Sequence, residues 1–71
     1  MAAGAFWLTV VDDFTGRVHV SKIFDTYNKA DDALTAFLHN WRYETNAAFP
    51  GIARIEKLVN GEWVTVTMWR M

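Results

Sequence analysis

Few side chains in this sequence could do nucleophilic or acid–base chemistry. His19 and Ser21 lie two residues apart on a predicted strand, so we expect them to share one face of a sheet. Ser21 is the only serine and there is no cysteine, and no carboxylate is placed to orient the His19 imidazole. The other histidine, His39, falls on the polar side of the predicted helix. We therefore expect that the chain is not an enzyme.

Metal and cofactor sites are also not expected. Asp12 and Asp13 are adjacent, but two neighbouring carboxylates supply fewer oxygens than a divalent cation normally needs, and the calcium-loop spacing is missing. They precede Phe14-Thr15-Gly16, a composition typical of a hairpin loop, so we predict that they shape a turn. The four glycines are isolated and do not form a phosphate-binding loop.

Two predicted hairpins position these side chains. Phe6 to Val11 alternates in its apolar pattern and predicts a strand, and Arg17 to Phe24 predicts its partner. Ile52 to Val59 and Glu62 to Trp69 form the second hairpin, closed by Asn60-Gly61. Asn-Gly is the strongest two-residue hairpin signal, because both positions need a positive φ. This turn predicts pairs from Val59 with Glu62 to Ile52 with Trp69, and the first hairpin is expected to pair Val10 with Val18.

A helix is predicted between the hairpins. Asn28 is expected to be its N-cap, with Asp31 and Asp32 in the first turn near the positive end of the helix dipole. Thr45 and Asn46 are expected to end it, because Phe49-Pro50-Gly51 prevents continuation. Its apolar stripe is Ala30, Ala33, Leu34, Phe37, Leu38 and Trp41. Residues 1–71 are therefore predicted to form one α+β domain of ββαββ order, an antiparallel four-stranded sheet with one helix on one face.

One helix covers one face of such a sheet, so the other face is expected to be free. Large exposed apolar patches usually mark interaction sites, and Trp and Arg are enriched at binding hot spots. We therefore predict a protein-binding module that uses the helix-free face. The predicted partner-binding residues are Trp7, Trp63, Trp69, Arg54, Ile52, Leu58 and His19.

Other interpretations of this face remain open. The rings could shield the sheet backbone, or the loop from Glu44 to Gly51, with Phe49, could cover the face. Two copies could stack their aromatic faces in a homodimer. Single-stranded nucleic acid could stack on the rings, although a net charge of −1 provides no positive field for phosphates. No membrane association is expected, since the apolar N-terminal stretch is too short to span a bilayer. The lack of cysteine suits the cytoplasm.

Four short runs deserve comparison with known sequence patterns: Phe6-Trp7-Leu8-Thr9-Val10, Asp32-Ala33-Leu34, Trp41-Arg42-Tyr43 and Gly51-Ile52-Ala53-Arg54-Ile55. Together they resemble one protein family, the small early proteins of tailed phages that inhibit host RNA polymerase. The resemblance spans roughly residues 6–58 and implies a stoichiometric inhibitor of a host complex, either RNA polymerase or a defence nuclease. The last strand, Glu62 to Trp69, has no counterpart in that family, and Glu56 follows Arg54 where the family has paired basic residues.

Overall fold

A computed structural model describes residues 4–70. Two β-hairpins flank one helix, and the four strands form one antiparallel sheet in the order β2-β1-β3-β4. The predicted α+β fold of ββαββ order is therefore confirmed. Within residues 4–70 no helix is long and apolar enough to cross a membrane. The elements are β1 (Phe6–Asp12), β2 (Val18–Phe24), α1 (Tyr27–Thr45), β3 (Gly51–Val59) and β4 (Glu62–Arg70).

The first hairpin pairs two residues away from its predicted register. Val10 lies opposite Val20 rather than Val18, and Val18 lies opposite Val11. The register shift between these two pairs leaves His19 as an extra residue on β2, which is a β-bulge. The predicted pairing of Val10 with Val18 is therefore wrong.

The loop between β1 and β2 is built around Asp12. The Asp12 N–H donates to the Arg17 carbonyl at 2.9 Å, and the Gly16 N–H donates to the Asp12 carbonyl at the same distance. The Asp12 carboxylate accepts from the N–H groups of Phe14 at 2.8 Å and Thr15 at 3.1 Å. The prediction that this aspartate shapes a turn is confirmed. The strand pair nearest to the loop is Val11 with Val18, whereas the predicted register sets Val10 opposite Val18.

The second hairpin turns where the sequence predicts. Asn60 and Gly61 both have a positive φ, 51° and 81°, as a two-residue turn of this kind requires. The four pairs next to the turn, out to Glu56 opposite Thr65, match the predicted register.

Beyond those four pairs β4 contains a second bulge. Val66 is the extra residue, so Ile55 lies opposite Thr67 and not opposite Val66. Because side chains alternate between faces, one extra residue moves every later side chain of β4 to the other face of the sheet. The Thr67 hydroxyl consequently lies on the helix side, where it hydrogen-bonds the Tyr27 hydroxyl at 2.7 Å.

The helix begins two residues before the predicted position. Thr26 is the N-cap: its backbone is extended, and its hydroxyl oxygen accepts from the Lys29 N–H at 3.2 Å. The prediction of Asn28 as N-cap is wrong, since Asn28 already lies inside α1, and Asp31 and Asp32 fall beyond the first turn. The end of the helix at Thr45 and Asn46 is as predicted, with Asn46 in the left-handed conformation at φ 58°.

The helix packs on β1, β2 and β3 with the predicted apolar stripe. Ala30 and Leu34 are buried, and the stripe's other members pack around them at partial exposure. The buried sheet residues beneath them are Leu8, Val10, Ala53 and Ile55.

Phe49, in the connection from α1 to β3, closes the core on the helix side of the sheet. Its side chain is only 1% exposed. The rings of Phe37, Trp41, His19 and Trp69 surround it, with centroids 5.0–6.4 Å away. The alternative in which Phe49 covers the helix-free face is therefore wrong.

Candidate functional site

The helix-free side of the sheet contains five of the seven residues predicted there. They alternate along β1, β3 and β4 with side chains that face the helix, such as the buried Leu8, Ala53 and Ile55. We call this surface the aromatic face. Its five predicted members are Trp7, Trp63, Arg54, Ile52 and Leu58.

His19 does not lie on the aromatic face, contrary to the prediction. The bulge on β2 directs it to the helix side, where its ring contacts Phe37 at 5.8 Å, Trp41 at 5.5 Å and Phe49 at 5.4 Å between centroids. Ser21, in contrast, bonds to Trp7 on the aromatic face. The expectation that His19 and Ser21 share a face is therefore also wrong.

Trp69 is the second misplaced residue. The bulge at Val66 shifts it to the helix side, where it lies opposite the buried Ala53 and contacts the Phe49 ring at 6.4 Å. The same shift brings Met68, expected on the helix side, onto the aromatic face opposite Arg54. No glycine or charged residue marks this bulge in the sequence.

Two tryptophans from different strands lie together at the end of the aromatic face nearest the β3–β4 turn. Trp7 on β1 and Trp63 on β4 have ring centroids 5.4 Å apart and planes tilted by 58°. The Trp7 indole N–H donates to the Ser21 hydroxyl at 3.0 Å, which fixes the orientation of the ring. Both rings are about half-buried, so each still presents a surface to solvent.

Exposed aliphatic side chains extend this tryptophan pair across the sheet. Ile23 lies opposite Trp7 on β2, and Leu58 lies opposite Trp63 on β3. Ile23 is 57% exposed, Leu58 43% and Met68 57%. Ile23 was not predicted as a site residue, although it alternates with Ser21 along β2. Ile23, Trp7, Leu58 and Trp63 thus form an apolar surface over one end of all four strands, and a polar band separates it from Met68 at the other end; the band consists of Ser21, Thr9, Arg54, Glu56 and Thr65.

A depression of about 270 Å³ adjoins this band. Val11, Ile52 and Met68 form its apolar wall. Its two charged lining residues are Arg54 and Asp13. A cavity of this size accommodates one large side chain or a small group. The lining residues are Thr9, Val11, Asp13, Ile52, Arg54 and Met68.

The strands place three charged side chains on the aromatic face, those of Arg54, Glu56 and Arg70. Arg54 is exposed, and within residues 4–70 the single ion pair joins Lys29 and Asp25 on the other side of the molecule, at 3.7 Å. Glu56 is the next outward-facing residue of β3 after Arg54. Because Arg54 forms no ion pair within residues 4–70, its guanidinium group is available to pair with a carboxylate of a binding partner.

Metal-binding geometry is not found in the described part of the chain. No group of three or more histidine or carboxylate side chains comes together within residues 4–70. Asp12 instead uses its carboxylate in the β1–β2 loop. The Thr15 N–H, followed by the Phe14 N–H and the nearby His19, holds the pKa of Asp12 below its ordinary value of 3.8 and outweighs the opposite effect of burial.

Comparison with known proteins gives no relative for this chain. Neither the family models, nor the characterised proteins, nor the solved structures contain a match.

Proposed function

We propose that this chain is a non-enzymatic protein-binding module that engages its partner through the aromatic face. The observation that carries the proposal is the Trp7–Trp63 pair, two partly exposed rings held 5.4 Å apart and flanked by the exposed Ile23 and Leu58. Tryptophan is among the residues most enriched at binding hot spots.

The tryptophan pair is oriented before any partner arrives. Trp7 is held by its hydrogen bond to Ser21 and by contact with Trp63, so its conformational freedom is already reduced in the free protein. Binding then loses less side-chain entropy than it would with mobile rings. Such preorganisation favours recognition of a folded or extended protein surface.

The chemistry of the partner follows from the surroundings of the pair. The partner would present apolar side chains to Trp7, Trp63 and Leu58, with one of them entering the depression beside Ile52. A carboxylate of the partner would pair with Arg54. The resemblance to phage inhibitors of RNA polymerase makes that enzyme the first target to test, with defence nucleases second.

The direct test is binding of the purified chain to purified bacterial RNA polymerase, followed by capture from bacterial lysate if polymerase is not bound. Burial of about 100 Å² of Trp63 at ~25 cal/mol per Å² would contribute about 2.5 kcal/mol, so Trp63→Ala should weaken binding on the order of fiftyfold. Tyr43→Ala is the matched control, because Tyr43 is an 85% exposed aromatic on the outer side of the helix. It should leave the Kd unchanged.

Two results would overturn the proposal. If Trp63→Ala and Leu58→Ser both bind the captured partner as tightly as the unmodified chain, the aromatic face is not the interface. If instead the chain binds single-stranded oligonucleotides with an affinity that falls steeply with salt and is lost in Trp63→Ala, the face recognises nucleic acid.

A further inference from the structure

The exposed edge of β4 is the second surface of this molecule that lacks a partner. β4 is an outer strand of the sheet and pairs only with β3 within residues 4–70. It is nine residues long, and none of its residues from Trp63 to Trp69 is charged. An edge strand with these properties has a row of unpaired backbone groups that can pair with another strand.

The opposite edge of the sheet, β2, differs from β4 in length and charge. It has seven residues, and both edge strands contain a bulge, β2 at His19 and β4 at Val66. Lys22, in the middle of β2, lies opposite the buried Leu8 and places its ammonium group 5.3 Å from the centre of the Phe24 ring. A charged side chain on the inward face of an edge strand is a common device against strand addition.

The helix side of β4 is also incompletely covered. The helix packs mainly on β1, β2 and β3, and it contacts β4 through the hydrogen bond between Tyr27 and Thr67. Val64 and Val66, which lie on this side, are each 46% exposed. A strand added to this edge would cover the flanks of these valines as well as the backbone groups.

We propose that β4 pairs antiparallel with β4 of a second copy, which forms a two-fold dimer with a continuous eight-stranded sheet. The strand is its own best partner: it contains seven uncharged apolar or threonine residues in succession, and its two charged residues, Glu62 and Arg70, lie at opposite ends. An antiparallel pair brings the acidic end of each strand near the basic end of the other. Aromatic faces of both copies then lie on the same side of the dimer.

The area available agrees with a dimer that forms reversibly. Nine residues at ~3.4 Å each make an edge about 30 Å long, and one sheet layer with its side chains is about 10 Å thick. Pairing would thus bury roughly 600 Å² in total, below the about 1,000 Å² at which stable specific interfaces begin. We therefore expect a dimer that dissociates on dilution.

The bulge determines the register of the pair. Val64 and Val66, before the shift, and Thr67 and Trp69, after it, all lie on the helix side. In an antiparallel pair, the side chains of opposite residues project to the same face of the sheet. A residue before the bulge must therefore lie opposite a residue after the bulge in the second copy. Centred between Val66 and Thr67, this register pairs residues 63–70 of the two strands and places Thr65 opposite Met68 of the second copy.

The first test is the mass of the 8.2-kDa chain by sedimentation over a wide concentration range, with folding checked by circular dichroism. The unmodified chain should reach twice the monomer mass at high concentration. Val66→Lys should remain monomeric, since it places a charge in the new interface. Val18→Lys is the matched control, because Val18 is 54% exposed on the other edge strand. It should still dimerise.

Cysteine cross-linking tests the same interface without relying on Val66→Lys. The chain has no cysteine, so a Thr65→Cys, Met68→Cys double variant introduces the only thiols. The two thiols of one copy are too far apart along the strand to bridge, whereas those of paired copies would lie within disulfide range. Mild oxidation should yield a covalent dimer from this variant and none from Val18→Cys.

Three outcomes would overturn the proposal. The first is a monomer at every concentration up to the millimolar range. The second is a folded Val66→Lys variant that dimerises as well as the unmodified chain, together with no cross-link between residues 65 and 68. The third is loss of the dimer in Ile23→Asp, which would indicate that two aromatic faces stack instead.

Discussion

Trp63 and Trp69 lie on the same strand, six residues apart, yet they project from opposite faces of the sheet. Trp63 contacts Trp7 on the aromatic face, and Trp69 contacts the buried Phe49 on the helix side. The extra residue at Val66 separates them, because it moves every later side chain of β4 to the other face. A single bulge thus assigns one tryptophan to the surface and the other to the core.

The two tryptophans should differ in what their removal costs. Trp69→Ala should lower the free energy of unfolding by about 2–3 kcal/mol, because it leaves space beside Phe49. Trp63→Ala should cost about 1 kcal/mol, mainly the aromatic contact with Trp7. Urea denaturation followed by circular dichroism measures both. Equal losses would mean that Trp63 contributes to the core as much as Trp69 does.

Phe49 is expected to be the most sensitive position in the chain. A domain of 71 residues has a total stability of roughly 4–10 kcal/mol. Phe49→Ala removes a ring that four other rings surround, and a loss of about 3–5 kcal/mol should leave much of the protein unfolded at 25 °C.

Two further substitutions test this reading of Phe49. Phe49→Leu retains most of the apolar volume and should fold with a loss of about 1.5 kcal/mol. Phe14→Ala removes an exposed phenylalanine from the β1–β2 loop and should change stability by less than about 0.5 kcal/mol. Thermal unfolding ranks the three variants, and a Phe49→Ala variant as stable as Phe14→Ala would contradict the packing described for the core.

The order of elements follows from local sequence patterns, and these patterns predict the fold well. Asn60-Gly61 predicts its turn because both residues must have a positive φ, and they do. The helical stripe is predicted by spacing alone, since it needs only residues on one side of the helix. In each case the information is local and redundant, so one atypical residue does not change the result.

Placement of side chains on the two faces depends on information that the sequence does not show locally. A bulge needs only one extra residue, and both Val66 and His19 lie in runs of good strand formers that look regular. Each bulge then changes the face of its neighbours, which is why Trp69 and His19 were misassigned. One signal was present for Phe49: Phe37 and Trp41 end the helical stripe with large rings, and the small Ala53 beneath them could not fill the space between helix and sheet.

The start of the helix provides a test of capping. Thr26→Ala should destabilise the protein by about 1 kcal/mol, because the Lys29 N–H loses its side-chain acceptor. Asn28→Ala should be neutral or slightly stabilising, since Asn28 is exposed within the helix and alanine has the higher helix propensity. Chemical denaturation of both variants distinguishes the two positions. A larger loss of unfolding free energy for Asn28→Ala than for Thr26→Ala would indicate that Asn28 is the N-cap.

The Asp12 carboxylate should make the stability depend on pH in the acidic range. The hydrogen bonds from Thr15 and Phe14, with His19 nearby, hold the pKa of Asp12 below 3.8, so the folded state favours the charged form more than the unfolded state does. Its contribution is therefore fully present above the unfolded pKa and is lost as pH falls through the lower, folded pKa. Asp12→Asn, which keeps an oxygen acceptor, should be less stable than the unmodified chain at neutral pH. Below about pH 4 the difference should shrink, because the unmodified carboxyl becomes protonated.

Asp13→Asn is the control, since the Asp13 carboxylate makes no hydrogen bond within residues 4–70, and it should not alter this acid dependence. Urea midpoints measured across the acidic range give the comparison. A constant gap between Asp12→Asn and the unmodified chain at all pH values would mean that the loop is held by geometry alone and not by the charge.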